Sequence, residues 1–208
     1  MSKRCIIVGG GECSVDLIKE NIKCNDYIIC ADSGYDVFSK TSYVPSLVIG
    51  DFDSVSVPLP KNVPVVKLPV EKDITDCEAA INEGIKNGCS SFVILGGTGG
   101  RFEHTFANIS LIAKTVKNGY ECIMIDKKHI FRAIHNSSLR LKYSENTQIS
   151  VFAFGNKAYG VCERGFHYPL DNYDLDPFEP LGISNDIKGD FGEISVKNGT
   201  LVVIETKM

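Results

Sequence analysis

The sequence predicts an α/β protein, with an N-terminal parallel-sheet α/β domain followed by a C-terminal antiparallel β-sandwich domain. From residue 4 to about residue 126, runs of consecutive apolar residues alternate with segments of helical periodicity. Such continuous apolarity is typical of parallel strands that are covered on both faces. After about residue 127 the apolar runs are short and separated by turn signals, which favours a small antiparallel sandwich or barrel. We therefore predict two domains, residues 1–130 and residues 131–208.

The first domain contains five predicted strands and two predicted helices. The strands are residues 5–8, 27–31, 47–49, 92–95 and 122–125. The helix over residues 75–87 ends before Gly88 and the helix over residues 106–118 ends before Gly119, because glycine is favoured just past a helix C-terminus. In such a βαβ arrangement ligands bind beyond the carboxyl ends of the strands. Functional residues are therefore expected in the loops that follow the strands.

The second domain contains only predicted strands. They are residues 149–154, 166–170, 192–196 and 201–206. Turn signals separate them, among them Gly155 with Asn156 and Asn198 with Gly199. No helical pattern in this half is convincing, so both layers of this domain are expected to be sheets.

Composition and charge narrow the range of functions. The net charge is −4 and no Lys/Arg cluster is present, which argues against a nucleic-acid surface. No apolar run approaches the roughly 20 residues that a membrane span needs, and no signal peptide is evident, so we expect a cytoplasmic protein with no membrane partner. The eight cysteines form no Cys-x-x-Cys pair, and we predict reduced, buried thiols.

Two carboxylates follow the predicted strand over residues 47–49. Asp51 and Asp53 are two positions apart, so their side chains point to the same side if the extended geometry continues into the loop. Hard anionic oxygens of this kind are the ligands that magnesium prefers. The alternative is a turn in which one of the two caps backbone amides. Two aspartates beside Gly50 favour the metal site.

A second acidic pair, Asp73 and Asp76, opens the next predicted helix. Thr75 and Glu78 have the spacing of a capping box, and acidic residues are favoured at a helix N-terminus for electrostatic reasons alone. The functional alternative is that Asp73 and Asp76 reach the same cation or a bound hydroxyl group. The residues by themselves leave both interpretations open.

Glycine-rich turns follow two of the predicted strands. Glycines at 9–11 allow close approach of an anion to the backbone, but they match neither a P-loop nor a dinucleotide-binding fingerprint. Asp32 ends the second strand, where it would bind a ribose hydroxyl or cap the next helix. Residues 96–100 form an adaptable anion-binding turn, after which Arg101 offers a planar fork for phosphate oxygens and His104 a further donor. These elements fit phosphoryl or pyrophosphoryl transfer.

In their order along the chain, these segments resemble the thiamine pyrophosphokinase family, particularly its bacterial members. The matching segments are residues 9–11, 32–34, 50–54, 71–76, 99–104 with Asn108, 165–170 and 184–185. The resemblance runs through nearly the whole chain. It implies an ATP-binding α/β domain and a thiamine-binding β-sandwich. It also implies magnesium-dependent transfer of the diphosphate of ATP to thiamine, in a homodimer whose active sites lie between subunits.

The resemblance also implies roles for individual residues. Magnesium would be bound by Asp51, Asp53 and Asp73, with Asp76 and Arg101 completing the catalytic set. The ATP site would comprise Gly10, Asp32, Thr75, Gly99, Gly100, Arg101 and His104. Thiamine would be bound by Tyr168, Ser184 and Asn185. The chain has no tryptophan, so we expect Tyr168 to provide an aromatic surface for thiamine. The alternatives are a catalytically silent thiamine or nucleotide sensor on the same fold and a metal-dependent phosphohydrolase.

Overall fold

The computed structural model of the protein describes residues 3–71 and 73–208. Contacts between residues divide the chain into two compact units. The first contains the described residues up to Leu111 together with Tyr120–Lys127, and the second contains Ile112–Gly119 and Lys128–Met208.

The first unit is built on a parallel sheet. Its strands are β1 (Lys3–Val8), β2 (Tyr27–Ala31), β3 (Leu47–Gly50), β4 (Val65–Lys67), β5 (Cys89–Leu95) and β6 (Glu121–Ile125). They lie in the order β6-β5-β1-β2-β3-β4, with each neighbouring pair parallel. The consecutive residues Ile6, Ile7 and Val8 are all fully buried, which requires cover on both faces of the sheet. The five strands predicted for this half are confirmed, and the short β4 was not predicted.

Four helices accompany these strands. They are α1 (Val15–Asn21), α2 (Gly34–Phe38), α3 (Asp76–Lys86) and α4 (Phe102–Lys117). The N-cap half of the predicted capping box at α3 is confirmed, because Thr75 Oγ1 accepts a hydrogen bond of 3.2 Å from the Glu78 amide. Helix α4 begins at Phe102, earlier than the predicted start at residue 106, because residues 102–104 are exposed and add no core-facing residue to the pattern. Helices α1 and α2 are too short to show a clear period in the sequence.

The second unit is an antiparallel sandwich. Its strands are β7 (His129–His135), β8 (Ser138–Lys142), β9 (Thr147–Ala153), β10 (Ala158–Arg164), β11 (Leu170–Leu175), β12 (Gly182–Asn185), β13 (Phe191–Ser195) and β14 (Thr200–Lys207). One layer has the order β12-β9-β14-β7 and the other β11-β10-β13-β8. Both contribute to one apolar core, in which Val151 and Val203 from the first layer join Val161 and Ile194 from the second. The predicted fold class is confirmed.

One predicted strand is wrong. Residues 166–170 were expected to be extended because apolar and polar residues alternate there, but Phe166 makes only an isolated bridge to Ile187 and β11 begins at Leu170. The preceding Gly165 has a φ of 77°, and a side chain rather than a neighbouring strand binds the backbone of Tyr168. The segment is therefore an irregular turn that is held by hydrogen bonds to the Asn185 side chain. Strands β7, β8, β10 and β12 were not predicted, and β11 lies after the segment that was predicted as a strand.

The remaining predictions, which came from composition, concern the cysteine thiols and membrane spans. All eight cysteines are free, and five of them are buried: Cys5, Cys30, Cys89, Cys122 and Cys162. Cys24 is exposed, so the prediction that the thiols are buried does not hold for every cysteine. In the part of the chain that the structure describes, no helix combines the length and apolarity needed to cross a membrane.

Candidate active site

A cleft of about 670 Å³ opens at the carboxyl edge of the parallel sheet in the first unit. The loops after β1, β2, β3 and β5 line it, together with the start of α3 and part of α4. Its volume is that of a pocket for a small organic ligand. Ten of the predicted site residues line it: Gly10, Asp32, Asp51, Asp53, Thr75, Asp76, Gly99, Gly100, Arg101 and His104. Asp73 is exposed and is not among the lining residues, so its role stays a prediction.

Three carboxylates converge in this cleft. Asp32, Asp51 and Asp53 each offer an oxygen atom, and these atoms lie within 4.8 Å of one another. Asp32 directly follows β2 and Asp51 directly follows β3, so two adjacent parallel strands deliver them to the same edge. Neither the sequence pattern nor the metal set inferred from it had grouped Asp32 with the other two. All three offer the hard oxygen ligands that suit a divalent cation.

Backbone amides orient these carboxylates. Asp32 Oδ1 accepts from the Phe52 amide at 3.2 Å, and Asp51 Oδ1 accepts from the Asp53 amide at 3.2 Å. The predicted alternative of a capped turn is thus present together with the cluster. The φ angles of Asp32 and Phe52 are 48° and 66°, a conformation that costs free energy in non-glycine residues and often marks functional loops.

The charges in the cluster disfavour one another. Burial is the main cause that raises the pKa of Asp32, and the negative charges of Asp76 and Asp51 raise it further. Hydrogen bonds from the Ser33 and Phe52 amides act in the opposite direction. A bound cation would remove this repulsion, because it favours the ionised form of every carboxylate around it.

The two glycine-rich loops bind each other. The Gly11 amide donates to the Gly96 carbonyl at 2.8 Å, and the Glu12 amide donates to the Thr98 carbonyl at 2.7 Å. A Cβ added at Gly11 would lie 2.2 Å from the Thr98 carbonyl oxygen. The glycine at this position therefore permits two backbones to meet. The sequence had predicted close approach of an anion, and this backbone packing was not foreseen.

Two further side chains hold the loop over residues 96–100. Asn108 is buried on α4, and its Nδ2 donates to the Gly97 carbonyl at 2.8 Å. Thr98 is also buried, and its Oγ1 donates to Asp126 Oδ2 at 2.9 Å. Sequence reasoning missed Thr98 and Asp126. The signal for Asp126 was its place directly after β6, at the same carboxyl edge as the other acidic residues.

Arg101 presents its charge at the mouth of the cleft. Its side chain is 71% exposed, with Nε 3.5 Å from Glu103 Oε1 and Nη2 in contact with His104 Nε2. A surface ion pair of this kind contributes little to stability. The guanidinium can therefore exchange Glu103 for a phosphate oxygen at low cost, as the sequence prediction requires.

The residues predicted for thiamine lie in the second unit. Tyr168 is 74% exposed, and Ser184 is exposed with a φ of 57°. Asn185 differs from both because it is only 3% exposed. Two exposed side chains, the Tyr168 ring and Ser184, thus adjoin the buried Asn185. Ser184 precedes it in the sequence, and the Tyr168 backbone is hydrogen-bonded to it.

The Asn185 amide is saturated with hydrogen bonds inside the second unit. Nδ2 donates to the Tyr168 carbonyl at 2.8 Å and to Glu163 Oε2 at 2.9 Å. Oδ1 accepts from the Tyr168 amide at 3.1 Å and from the Asp186 amide at 3.0 Å. Direct contact of Asn185 with a ligand stays a prediction, whereas its contact with both backbone groups of Tyr168 is a feature of the fold.

Glu163 on β10 is a buried carboxylate that the sequence analysis did not single out. It is 0% exposed, and among the described residues its Oε1 has no hydrogen-bond partner. Its neighbours across the ladders are Leu170 on β11 and Ile194 on β13, both apolar, and on β12 it meets Asn185. Burial raises the pKa of Glu163 to about 7, although the Asn185 hydrogen bond lowers it.

This raised pKa makes stability depend on pH. The pKa is above the ordinary value of 4.5, so the folded state holds the proton more tightly than the unfolded chain. The stabilisation from Glu163 is complete below about pH 4.5 and is lost as the pH rises through about 7. The difference between these two pKa values corresponds to about 3 kcal/mol of unfolding free energy.

We expect Glu163→Gln to lose less thermal stability than the native protein between about pH 5 and about pH 8, because glutamine has no proton to release in this range.

The matched control for this prediction is Glu145→Gln, at an exposed position of the same unit. It should keep the pH dependence of the native protein. The ion pair of His167 Nδ1 and Asp186 Oδ1, 2.8 Å apart, is present in every variant and cancels in the comparison. Identical pH profiles of the thermal midpoint for Glu163→Gln and the native protein would show that Glu163 does not titrate in this range.

Comparison with known proteins agrees with both units. The family model described as "Thiamin pyrophosphokinase, catalytic domain" matches residues 18–124, and the model described as "Thiamin pyrophosphokinase, vitamin B1 binding domain" matches residues 135–201. Thiamine pyrophosphokinase of Bacillus subtilis is 29% identical over 184 residues, which cover 86% of each chain. Thiamin pyrophosphokinase 1 of Caenorhabditis elegans is 25% identical over 197 residues, covering 88% of this chain and 81% of the relative.

Solved structures extend this similarity to the fold. The crystal structure of the Bacillus subtilis thiamine pyrophosphokinase has a TM-score of 0.88 and 27% identity, and covers 99% of both chains. Together with these matches, the α/β unit with its cleft and the antiparallel sandwich that follows it identify a diphosphate-transferring enzyme. The chain belongs to the thiamin pyrophosphokinase family.

Proposed function

We propose that this protein is a magnesium-dependent enzyme that transfers the diphosphate of ATP to the hydroxyethyl oxygen of thiamine, giving thiamine diphosphate and AMP. The single observation that carries the proposal is the convergence of Asp32, Asp51 and Asp53 in the cleft of the first unit. Membership of the family supplies the identity of the reaction. Bond formation joins the thiamine oxygen to the β-phosphorus, and the bond from that phosphorus to the AMP oxygen breaks.

The cation would be held by Asp32, Asp51 and Asp53, with Asp73 as the further ligand that the sequence predicts. Magnesium bound there would neutralise charge on the phosphates of ATP. The oxygen-only donor set and the repulsion of Asp32 by Asp51 and Asp76 support this assignment. Gly10, Thr75, Gly99, Gly100 and His104 would complete the ATP site.

The chain supplies alignment and charge rather than a covalent nucleophile. A thiamine hydroxyl is a weak nucleophile, so holding it opposite the leaving AMP oxygen should provide much of the rate. Asp76 lines the cleft at the start of α3, and it would orient the hydroxyl and accept its proton. Arg101 would bind phosphate oxygens and take up charge as AMP departs.

Thiamine recognition would fall to the second unit. The Tyr168 ring is exposed, and an aromatic face attracts a cationic ring such as the thiazolium. Ser184 would offer a hydroxyl to the pyrimidine, and Asn185 would act beside it. The match of residues 135–201 to a vitamin B1 binding domain supports this assignment.

We also propose a cytoplasmic homodimer with active sites at the subunit interface. Phe178 is 90% exposed and Phe102 is 78% exposed, and solvated aromatic rings of this size favour burial in an interface. Light scattering at micromolar concentration should give about twice the chain mass of 22.8 kDa. A mass of one chain at every concentration would reject the dimer without affecting the assigned reaction.

One assay tests the reaction against its two rivals. The protein is incubated with ATP, magnesium and thiamine, and AMP and thiamine diphosphate are followed together. Release of AMP that requires thiamine supports the proposal. Release of AMP or ADP without thiamine indicates a phosphohydrolase, and the absence of turnover with retained ligand binding indicates a sensor.

A further inference from the structure

The main chain of Tyr168 depends on one buried amide. Asn185 binds both its amide and its carbonyl, at 3.1 and 2.8 Å, in a segment where the regular ladder is interrupted. These two bonds fix the backbone from which the exposed tyrosine ring projects. Any group that controls the orientation of the Asn185 amide therefore controls the backbone position from which the Tyr168 side chain starts.

Glu163 is the group that faces this amide from inside the sandwich. In its ionised form, which predominates above about pH 7, Glu163 only accepts hydrogen bonds, so it binds the Nδ2 end of Asn185 and leaves Oδ1 to accept from the Tyr168 amide. The reversed amide would place two acceptors, Oδ1 and Glu163 Oε2, against each other. Ionised Glu163 thereby strengthens the orientation that the Tyr168 and Asp186 backbone groups also favour.

We propose that Glu163 is a positioning residue for thiamine, acting through Asn185 on the backbone and ring of Tyr168. The inference rests on the proposed function, because it assigns the role within that reaction. A side chain that served only to fill the core would be apolar here, since Leu170 and Ile194 surround it and a buried carboxyl group with an unpartnered oxygen lowers stability. The loss of stability caused by burying Glu163 is explained if its carboxylate is needed to orient the Asn185 amide.

The first test compares Glu163→Leu, which removes the acceptor at similar volume, with Glu163→Gln, which keeps one. We expect Glu163→Leu to raise the KM for thiamine about tenfold, the effect of about one lost hydrogen bond on binding. The KM for ATP should stay within about twofold, because the ATP residues lie in the other unit. Glu163→Gln should keep the KM for thiamine within about threefold of the native value.

The second test exchanges the two partners and remains informative if Glu163→Leu does not fold. Asn185→Asp places a carboxylate against Glu163 and should raise the KM for thiamine by about tenfold or more. In the double variant Glu163→Gln with Asn185→Asp, the new amide donates to the new carboxylate. Partial recovery of the KM for thiamine in the double variant, with the KM for ATP unchanged throughout, supports the proposal, because residues in one hydrogen-bond network couple non-additively and the coupling then appears in thiamine binding.

The outcomes separate this inference from the function on which it rests. If the native protein turns over thiamine but Glu163→Leu is folded with an unchanged KM for thiamine, the positioning role is overturned and the function stands. An equal rise in the KM for ATP, or no recovery in the double variant, also overturns it. If the native protein shows no thiamine-dependent AMP release, both proposals fail. Circular dichroism establishes the folded fraction of each variant.

Discussion

Asp51→Asn is expected to lower kcat by about a hundredfold or more while the protein stays folded. The substitution keeps the shape of the side chain and removes one of the three charges that converge in the cleft. The neutral amide is a poorer ligand for a divalent cation, so the magnesium concentration for half-maximal activity should rise. Relief of the repulsion between Asp51 and Asp32 should leave stability unchanged or slightly higher. Steady-state kinetics at several magnesium concentrations measure both effects.

The matched control for this variant is Asp16→Asn, at an exposed position in the first turn of α1. It removes the same charge outside the cleft and should leave kcat unchanged. A folded Asp51→Asn with native kcat and native magnesium dependence would remove Asp51 from the catalytic set. Asp73→Asn tests the remaining predicted metal ligand. This variant should show a comparable loss of kcat if Asp73 binds the same cation.

Gly34→Ala is expected to lower the free energy of unfolding by about 3 kcal/mol, because α2 begins against the end of β1 with no room for a side chain. An added Cβ would lie 2.0 Å from the Val8 carbonyl oxygen and 2.8 Å from the Gly9 carbonyl carbon. Both atoms are backbone, so α2 itself must move, and with it the adjoining Asp32. We expect the thermal midpoint to fall by about 6 to 12 °C, with a loss of activity that follows the displaced cluster.

Gly189→Ala is the control for this steric argument. Among the described residues, no atom lies within 4 Å of a Cβ added at Gly189, and its φ is outside the left-handed region. Its thermal midpoint should remain within about 2 °C of the native value. If Gly34→Ala is as stable as Gly189→Ala, the contact between α2 and β1 is looser than the structure indicates.

Local pattern was enough to predict the fold class and much of the cleft. Consecutive buried residues such as Ile6 and Ile7 show as a continuous apolar run, and the capping box at Thr75 is confined to four positions. Asp51 and Asp53 were found because they directly follow a strand. The turn over residues 166–170 was predicted wrongly as a strand, because what replaces its ladder is Asn185, a residue distant in sequence.

The sequence by itself determined the five predicted strands of the parallel sheet, the glycine-rich loops and the two aspartates after β3, since each depends on neighbours along the chain. Only the tertiary structure decided that Asp32 joins those aspartates, because β2 and β3 must pair before their ends meet. The same holds for Glu163, whose pKa and hydrogen bond to Asn185 arise from burial between two sheets. Charge and burial act through space, and the spacing of residues along a chain does not report them.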